Sequence, residues 1–220
     1  MANNDPKLGQ QVHKYLLGLG IENPVDFEQY SRCRLSELQE GFSLAHKAMG
    51  LSTGHPSTVE TPRRLAKMYR EELTSGLEYE FFPQATTSPN DGSTKEIILV
   101  RNIEIKSLCE HHWQPVIGRA HIAYIPAGNL LGLSKFNRIA QFFARRPQLQ
   151  ERMCEQILAT MCLILGTDDV AVIVEAEHFC VKFRGVEDLC SDTVTSRMSG
   201  KFMEVPSARA ELLQLIQMGK

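Results

Sequence analysis

The stretch Cys109-Glu110-His111-His112 decides how this sequence is interpreted, because it lies between two segments that look like strands. Residues 97–105 precede it and residues 117–125 follow it, and both segments are rich in the β-branched residues that favour strands. We therefore predict two neighbouring strands whose connection carries the four residues. A thiolate and an imidazole separated by two residues can bind one metal ion from a single tight turn.

The chain after this pair of strands alternates between helical and strand-like periodicity. It predicts two helices, two strands and a short final helix, in the order 134–144, 147–165, 170–180, 193–202 and 208–217. The resulting order ββααββ implies an α+β fold, in which helices cover one face of an antiparallel sheet. A unit of four strands has too few strands to close a barrel alone.

The first part of the chain is different, because its apolar residues recur at helical spacing. Helices are predicted over residues 6–19, over residues 36–49 and from Thr61-Pro62 onward. Residues 24–34 are predicted to be a polar connection, and residues 82–95 a loop rich in Pro, Thr, Ser, Asn and Gly. We place a domain boundary there, between a helical N-terminal region of residues 1–95 and a mixed C-terminal domain of residues 96–220.

Composition and charge exclude several classes of protein. The 220 residues carry a formal net charge of -2, so there is no general attraction to nucleic acid or to an anionic membrane. No apolar run is long enough to cross a bilayer, and the N-terminus lacks the features of a signal peptide. Six cysteines without an export signal indicate reduced thiols. We expect a cytoplasmic protein with neither nucleic acid nor membrane as a partner.

A metal site at the four-residue stretch needs a further ligand, and Cys180 is the best candidate. It follows His178 by two residues, so both side chains would point to one face of the predicted strand. Cys109, His112 and Cys180 would form a Cys₂His set with one open position, the arrangement of a catalytic zinc that activates water. His111 and His178 would remain unligated and available for proton transfer. Spacing alone also allows a structural zinc site, or a turn without metal.

Basic residues form a second cluster at the start of the first predicted helix after the strand pair. Ser134 is predicted as its N-cap, with Lys135 and Arg138 in the opening turn. Cations are disfavoured at a helix N-terminus by the helix dipole, so their presence there indicates an anion to neutralise. Arg184 is predicted to lie on the strand face of Cys180. A substrate that carries phosphate fits both places, although scattered surface charge is the alternative.

Two further positions have weaker signals. Arg64 lies in the opening turn of the helix that begins at Thr61, where an anion site and a solvated basic face are both open. Gln150 and Glu151 lie in the first turn of the second predicted helix. A carboxylate can accept the two parallel donors on the edge of guanine, although glutamate is also common in a first helical turn for electrostatic reasons.

Taken together, these motifs resemble the type I GTP cyclohydrolase family, which has the tunnelling fold. The similarity extends from residue 61 to residue 202 and rests on six ordered stretches: TPRRLAKMY (61–69), SLCEHH (107–112), AYIP (123–126), GLSKFNRI (132–139), QFFARRPQLQER (141–152) and HFCVKFRG (178–185). The resemblance implies hydrolysis of GTP at C8, release of formate and rearrangement to 7,8-dihydroneopterin triphosphate, the first step of folate and pterin synthesis.

The resemblance also implies a role for each matched residue and a cofactor, Zn²⁺. It assigns Cys109, His112 and Cys180 as the zinc ligands, and His111 and His178 as the acid-base residues, with Ser134 assisting. It assigns the triphosphate to Ser134, Lys135, Arg138, Arg184 and Arg64. Guanine is assigned to Gln150 and Glu151. In the family the barrel is closed by oligomerisation, typically as a decamer of two stacked pentamers with active sites between subunits.

Two other functions remain open from the sequence. A related enzyme of the same fold reduces a nitrile with NADPH, but it uses a nucleophilic cysteine without this set of zinc ligands. A ring-forming zinc protein that only binds purine nucleotides would not need the two unligated histidines, His111 and His178.

Overall fold

Seven strands lie within residues 4–218, which are the residues that the computed structural model describes. They are β1 Thr87–Pro89, β2 Ile98–Cys109, β3 Pro115–Tyr124, β4 Asn129–Leu131, β5 Pro147–Gln148, β6 Val170–His178 and β7 Thr193–Met198. The main sheet has the order β5-β2-β3-β6-β7, while β1 and β4 pair separately.

The four long strands of the main sheet are antiparallel, which confirms the predicted α+β sheet. Only β5 is parallel to its neighbour β2, over two residues. The register pairs Val116 with His178, so the end of β6 lies beside the start of β3 and next to the Cys109-His112 turn. Gly118 allows this close pairing, because a Cβ at that position would lie 2.0 Å from the carbonyl oxygen of Glu175.

The helices of the described chain are α1 Pro6–Leu19, α2 Phe27–Arg32, α3 Leu35–Ala48, α4 Thr61–Lys67, α5 Leu133–Ala144, α6 Gln150–Leu165, α7 Phe179–Lys182, α8 Lys201–Glu204 and α9 Pro206–Gln217. A π-helix, Met68–Leu73, continues α4, and two 3₁₀ turns follow at Ser75–Leu77 and Tyr79–Phe81. Asp5 caps α1 by accepting from the N–H of Leu8, and Gly20 ends α1 in the left-handed conformation, as its position predicts.

The core lies between the main sheet and helices α5 and α6, with α1 packed at its side. Val170, Val172 and Val174 of β6 point into this core, where Val12 and Leu16 of α1 are also fully buried. The proposed division of the chain at residue 95 stays a prediction. Within residues 4–218, no helix has the length and apolar character needed to cross a membrane.

Helix α9 packs on the opposite face of the sheet, where helices were not expected. Leu212 and Ile216 of α9 are buried against Ala171 and Ile173 of β6, whose side chains alternate with those of the main core. The prediction that helices cover one face therefore describes α5 and α6, and it is wrong for α9. The reason is that β6 is apolar on both faces, so both faces need cover.

Three predicted boundaries in the second half of the chain are wrong. The helix predicted from residue 147 begins at Gln150, because Pro147 and Gln148 pair with the end of β2 instead. The strand predicted through residue 180 ends at His178, because the chain then turns into α7. The strand predicted to residue 202 ends at Met198, because Gly200 has φ 51° and starts α8.

Two predicted loops contain regular structure. Residues 24–34 include α2, whose N-terminus is capped by the carboxylate of Asp26 accepting from the N–H of Gln29. Residues 82–95 include β1, which pairs with β4. The short β1 has no apolar alternation of its own, so only its tertiary pairing reveals it.

Candidate metal centre and active site

The Cys109-His112 turn closes on itself by backbone hydrogen bonds. The N–H of Trp113 donates to the carbonyl oxygen of Cys109 at 2.9 Å, and the N–H of Cys109 donates to the carbonyl oxygen of Gln114 at 2.8 Å. Trp113 has φ 52°, a left-handed conformation that reverses the chain into β3. As a result, the Cys109 Sγ and the His112 Nδ1 lie 3.7 Å apart.

Cys180 completes the predicted group of three ligands. One ligand atom from each of Cys109, His112 and Cys180 lies within 4.8 Å of the other two. The predicted residues are therefore together, but the predicted local geometry is wrong. Cys180 lies in the helical turn α7 and not on a strand face, so it does not share a strand face with His178 or Arg184.

The donor set fits a zinc ion. Ideal tetrahedral zinc bonds to sulfur and imidazole nitrogen would put those two atoms about 3.6 Å apart, close to the separation of the Cys109 Sγ and the His112 Nδ1. Burial raises the pKa of the Cys180 thiol, and the hydrogen bond and charge of Cys109 raise it further. Two thiols and one imidazole are soft and intermediate donors. Such donors bind zinc in preference to Mg²⁺ or Ca²⁺, which take oxygen ligands.

Glu110, inside the same turn, joins the turn to helix α6. Its carboxylate forms an ion pair with the guanidinium of Arg152, and its N–H donates to the carbonyl oxygen of Gln148 at 3.1 Å. Sequence patterns did not identify this pair. The one local feature that pointed to Arg152 was its position directly after Glu151, a candidate guanine contact.

His178 lies at the end of β6, beside Cys180, and is bound to Gln150. Its Nε2 is 2.7 Å from the Gln150 Oε1. Burial lowers the pKa of His178, while the carboxylate of Glu151 acts in the opposite direction. Gln150 is only 3% exposed, whereas Glu151 is exposed. The two residues predicted to recognise guanine therefore have different surroundings.

Both histidines of the turn are exposed, and His111 is the one that lies outside the candidate ligand group. Its ring centroid lies 6.2 Å from that of His112, with the two rings nearly perpendicular. The side chain of His111 is therefore separate from the ligand group and accessible to a substrate.

The predicted phosphate cluster begins helix α5, but its cap differs from the prediction. Gly132 is the N-cap, and Ser134 is the second residue of the helix with an exposed side chain. The prediction of Ser134 as N-cap is therefore wrong, because the chain enters the helix two residues earlier. Lys135 and Arg138 are partly buried in the same helix, and Arg138 lines a cavity together with Arg145.

The structure brings only part of the predicted phosphate cluster close to the candidate ligands Cys109, His112 and Cys180. Arg184 follows α7 and is exposed, and its positive charge is near enough to lower the pKa of Cys180. Arg64 is exposed on α4, and Arg138 is partly buried on α5. Within residues 4–218, neither of these two arginines has a described contact with the three candidate ligands.

Comparison with known proteins identifies the family. The family model described as GTP cyclohydrolase I matches residues 39–217. The chain belongs to the GTP cyclohydrolase I family. The GTP cyclohydrolase 1 of Yersinia enterocolitica is 42% identical over 212 residues, 96% of both chains. That of Aeromonas salmonicida is 47% identical over 195 residues, 88% of this chain and 89% of its own.

A third relative has the same name and similar coverage. The GTP cyclohydrolase 1 of Actinobacillus pleuropneumoniae is 47% identical over 208 residues, 94% of this chain and 95% of its own. The resemblance inferred from the six motifs is confirmed, and with it the membership of this chain in an enzyme family.

Proposed function

We propose that this chain is a zinc-dependent GTP cyclohydrolase. It hydrolyses GTP at C8, releases formate and forms 7,8-dihydroneopterin triphosphate, the first step of folate and pterin synthesis. The observation that carries the proposal is the group of Cys109, His112 and Cys180 in a chain of this family, with two unligated histidines beside it.

Cys109, His112 and Cys180 would hold the zinc and leave a fourth position open. Zinc bound there would supply Lewis-acid activation of water for attack at C8. Two of the three ligands come from one closed turn, so their positions do not depend on the substrate. The exposure of His112 leaves the open position accessible to GTP.

The two free histidines would move protons. His178 is held by a hydrogen bond and would deliver a proton at N7 of guanine as the imidazole ring opens. His111 is exposed and would serve the later sugar rearrangement and ring closure, with Ser134 assisting. Histidine can work in both directions near physiological pH, since the protonated ring donates a proton as acid and the neutral ring accepts one as base.

Charged side chains would hold the two ends of GTP. The triphosphate would lie on the basic residues Arg64, Lys135, Arg138 and Arg184, with the hydroxyl of Ser134. Guanine recognition would fall to the pair Gln150 and Glu151, with the exposed carboxylate of Glu151 as the contacting group.

Assembly would complete the site. Among the strands of residues 4–218, β7 has a partner on one side only, and β2 beyond its short contact with β5 is likewise open along one edge. We propose that these edges pair between subunits to close a barrel in a homodecamer, with active sites between subunits. The phosphate-binding arginines that lie apart within one chain would then meet GTP at the interface.

The remaining expectations belong to the same proposal. The chain would act in the cytoplasm, without nucleic acid or membrane as a partner. It would consist of an N-terminal helical region, residues 1–95, and a tunnelling-fold catalytic domain, residues 96–220.

A formate-release assay with GTP and zinc tests the activity. Cys180→Ser is expected to lose both bound zinc and formate release, because it removes one of three ligands. Cys190→Ser, at an exposed loop cysteine, is the matched control and is expected to keep both. Full formate release from verified metal-free protein would overturn the role of zinc, and no release from the zinc-loaded wild type would overturn the function.

Light scattering with an in-line activity assay tests the assembly. Active protein is expected to elute as an oligomer of about ten chains. An active monomer would contradict the proposal that the site is completed between subunits.

A further inference from the structure

The side chain of Gln150 is engaged at both ends within the chain. Its Nε2 lies 3.1 Å from the carbonyl oxygen of Val174, 3.0 Å from that of Thr193 and 3.1 Å from the Thr195 Oγ1. Its Oε1 lies 2.7 Å from the Nε2 of His178. Gln150 is the first residue of α6, so one buried amide connects α6 to β6, to β7 and to the proposed catalytic histidine.

These partners determine which way the amide points. A backbone carbonyl oxygen can only accept a hydrogen bond, and two such oxygens face one end of the Gln150 side chain. The amide nitrogen must lie at that end, because the reversed orientation would bring its oxygen against two acceptors in a buried place. The amide oxygen therefore faces His178.

The orientation of the amide in turn determines the tautomer of His178. An amide oxygen cannot donate, so the Nε2 of His178 must carry the hydrogen in this contact. In the neutral ring the Nδ1 is then the nitrogen without a proton. The alternative tautomer would place two acceptors 2.7 Å apart, which is unfavourable in a partly buried site.

A third partner, beside the two carbonyl oxygens, lies at the nitrogen end of the amide. The Thr195 Oγ1, which faces the Gln150 Nε2, lies 3.0 Å from the Sγ of the fully buried Cys154. Burial raises the pKa of Cys154 to about 11, so this thiol places no charge beside the amide at neutral pH. Helix α6 thus contributes both Gln150 and the group that holds its partner on β7.

We propose that Gln150 is a positioning residue that fixes His178 as its Nε2–H tautomer and leaves Nδ1 to exchange the proton with the substrate. The proposal rests on the proposed function, since it assigns His178 to proton transfer. It also divides the Gln150 and Glu151 pair: Glu151 contacts guanine, and Gln150 acts through the histidine.

The kinetics of Gln150→Leu separate this role from direct contact with guanine. A positioning role predicts GTP affinity within about twofold of the wild type and a kcat lower by roughly 10- to 100-fold, part of the usual contribution of a proton-transfer group. A direct contact with guanine predicts the opposite, a weaker GTP affinity with kcat maintained. That result would overturn the proposal.

Thr195→Val is the matched control. It removes one partner of the Gln150 amide nitrogen but keeps both carbonyl partners and the contact with His178. It is expected to keep kcat within about threefold of the wild type, since the orientation of the amide is retained. A loss as large as that of Gln150→Leu would assign the effect to general disruption of the network and would count against positioning.

The tautomer itself can be measured without any variant of Gln150. Nitrogen-15 spectra of histidine-labelled, zinc-loaded protein, with His178→Asn to assign the signal, should show the Nε2–H form at a pH where the ring is neutral. The Nδ1–H form would overturn the proposal even if Gln150→Leu failed to fold. Failure of the proposed function would appear separately, as a wild type that releases no formate from GTP.

Discussion

The carboxylate of Glu110 and the guanidinium of Arg152 form an ion pair that ties the Cys109-His112 turn to the first turn of α6. Both side chains are largely buried, with 23% and 18% of their surface exposed. Glu110 lies between Cys109 and His111, and Arg152 directly follows Glu151. The proposed metal site and the proposed guanine site therefore share one support.

Breaking this support is expected to weaken metal binding. Groups that hold the ligands of a metal in place usually contribute 10- to 100-fold in affinity. Glu110→Gln keeps the shape of the side chain but removes its charge. We predict that it lowers zinc affinity by about tenfold, the lower end of that range. Competition with a chromogenic chelator measures the affinity.

The matched control is Glu104→Gln, which breaks an exposed ion pair with Lys106 on the same strand. It is expected to leave zinc affinity unchanged, because exposed pairs contribute little. Equal zinc affinity in Glu110→Gln and the wild type would show that the turn holds its ligands without Arg152.

Trp113 supplies a direct probe of the same turn, since it is the only tryptophan in the chain. Its ring centroid lies 5.2 Å from that of Tyr69, which belongs to the π-helix after α4. We predict that Tyr69→Leu shifts the emission of Trp113 to longer wavelength and lowers the free energy of unfolding by about 1 kcal/mol. Fluorescence during urea unfolding measures both.

Tyr69→Phe is the control for the aromatic contact, because it keeps the ring and removes only the hydroxyl. Its emission and stability are expected to stay near those of the wild type. If Leu and Phe at this position behave alike, the ring pair does not hold Trp113.

A buried ion pair between Arg146 and Glu22 links the turn between α5 and β5 to the segment that follows α1. The Arg146 NH1 lies 2.9 Å from the Glu22 Oε1, and the side chains are 0% and 4% exposed. Arg146→Met would leave the Glu22 carboxylate buried without its cation. We predict a loss of about 3–5 kcal/mol in the free energy of unfolding for that single change.

The double variant Glu22→Gln with Arg146→Met is expected to lose less than the sum of the two single changes, because it leaves no unpaired charge. Urea unfolding of all four proteins gives the coupling energy. Strict additivity would mean that the two side chains do not stabilise each other.

His13 is expected to make stability depend on pH. Burial against the stacked ring of Tyr79 lowers the pKa of His13, and the nearby Arg146 adds to this, while Glu22 opposes it. The folded state then binds fewer protons than the unfolded state, so this contribution to stability is lost as pH falls below the unfolded pKa of about 6.5.

His13→Phe keeps the stacking and removes the titration. The difference in unfolding free energy between the wild type and this variant should be constant above pH 7 and should turn against the wild type as pH falls through about 6.5. Comparing the two proteins at each pH cancels the protonation of the metal ligands. A difference that does not vary with pH would contradict the prediction.

Local parts of the site could be predicted from the sequence because they depend on residues close together in the chain. The spacing of Cys109 and His112 suits a single turn, and hydrogen bonds within that turn bring the two ligand atoms together. Helices α1 and α6 end at the predicted residues, 19 and 165, because Gly20 and Gly166 follow and each adopts the left-handed conformation that glycine tolerates.

Cys180 shows the limit of that reasoning. Its place in the candidate ligand group followed from residue type, but the expected extended strand is a helical turn. Four residues are too few for a periodic signal, so local propensity could not distinguish a strand from α7. The position of Cys180 depends on the pairing of β6 with β3.

The sequence by itself determined the family, the α+β order of elements, and the candidate ligand pair of Cys109 and His112, because these depend on short motifs and on periodicity. Only the tertiary structure decided which groups bind the side-chain amide of Gln150 and which residues contact the turn. Gln150 meets Val174, Thr193 and His178 through sheet pairing over many residues, and no local pattern encodes which buried donor faces which acceptor.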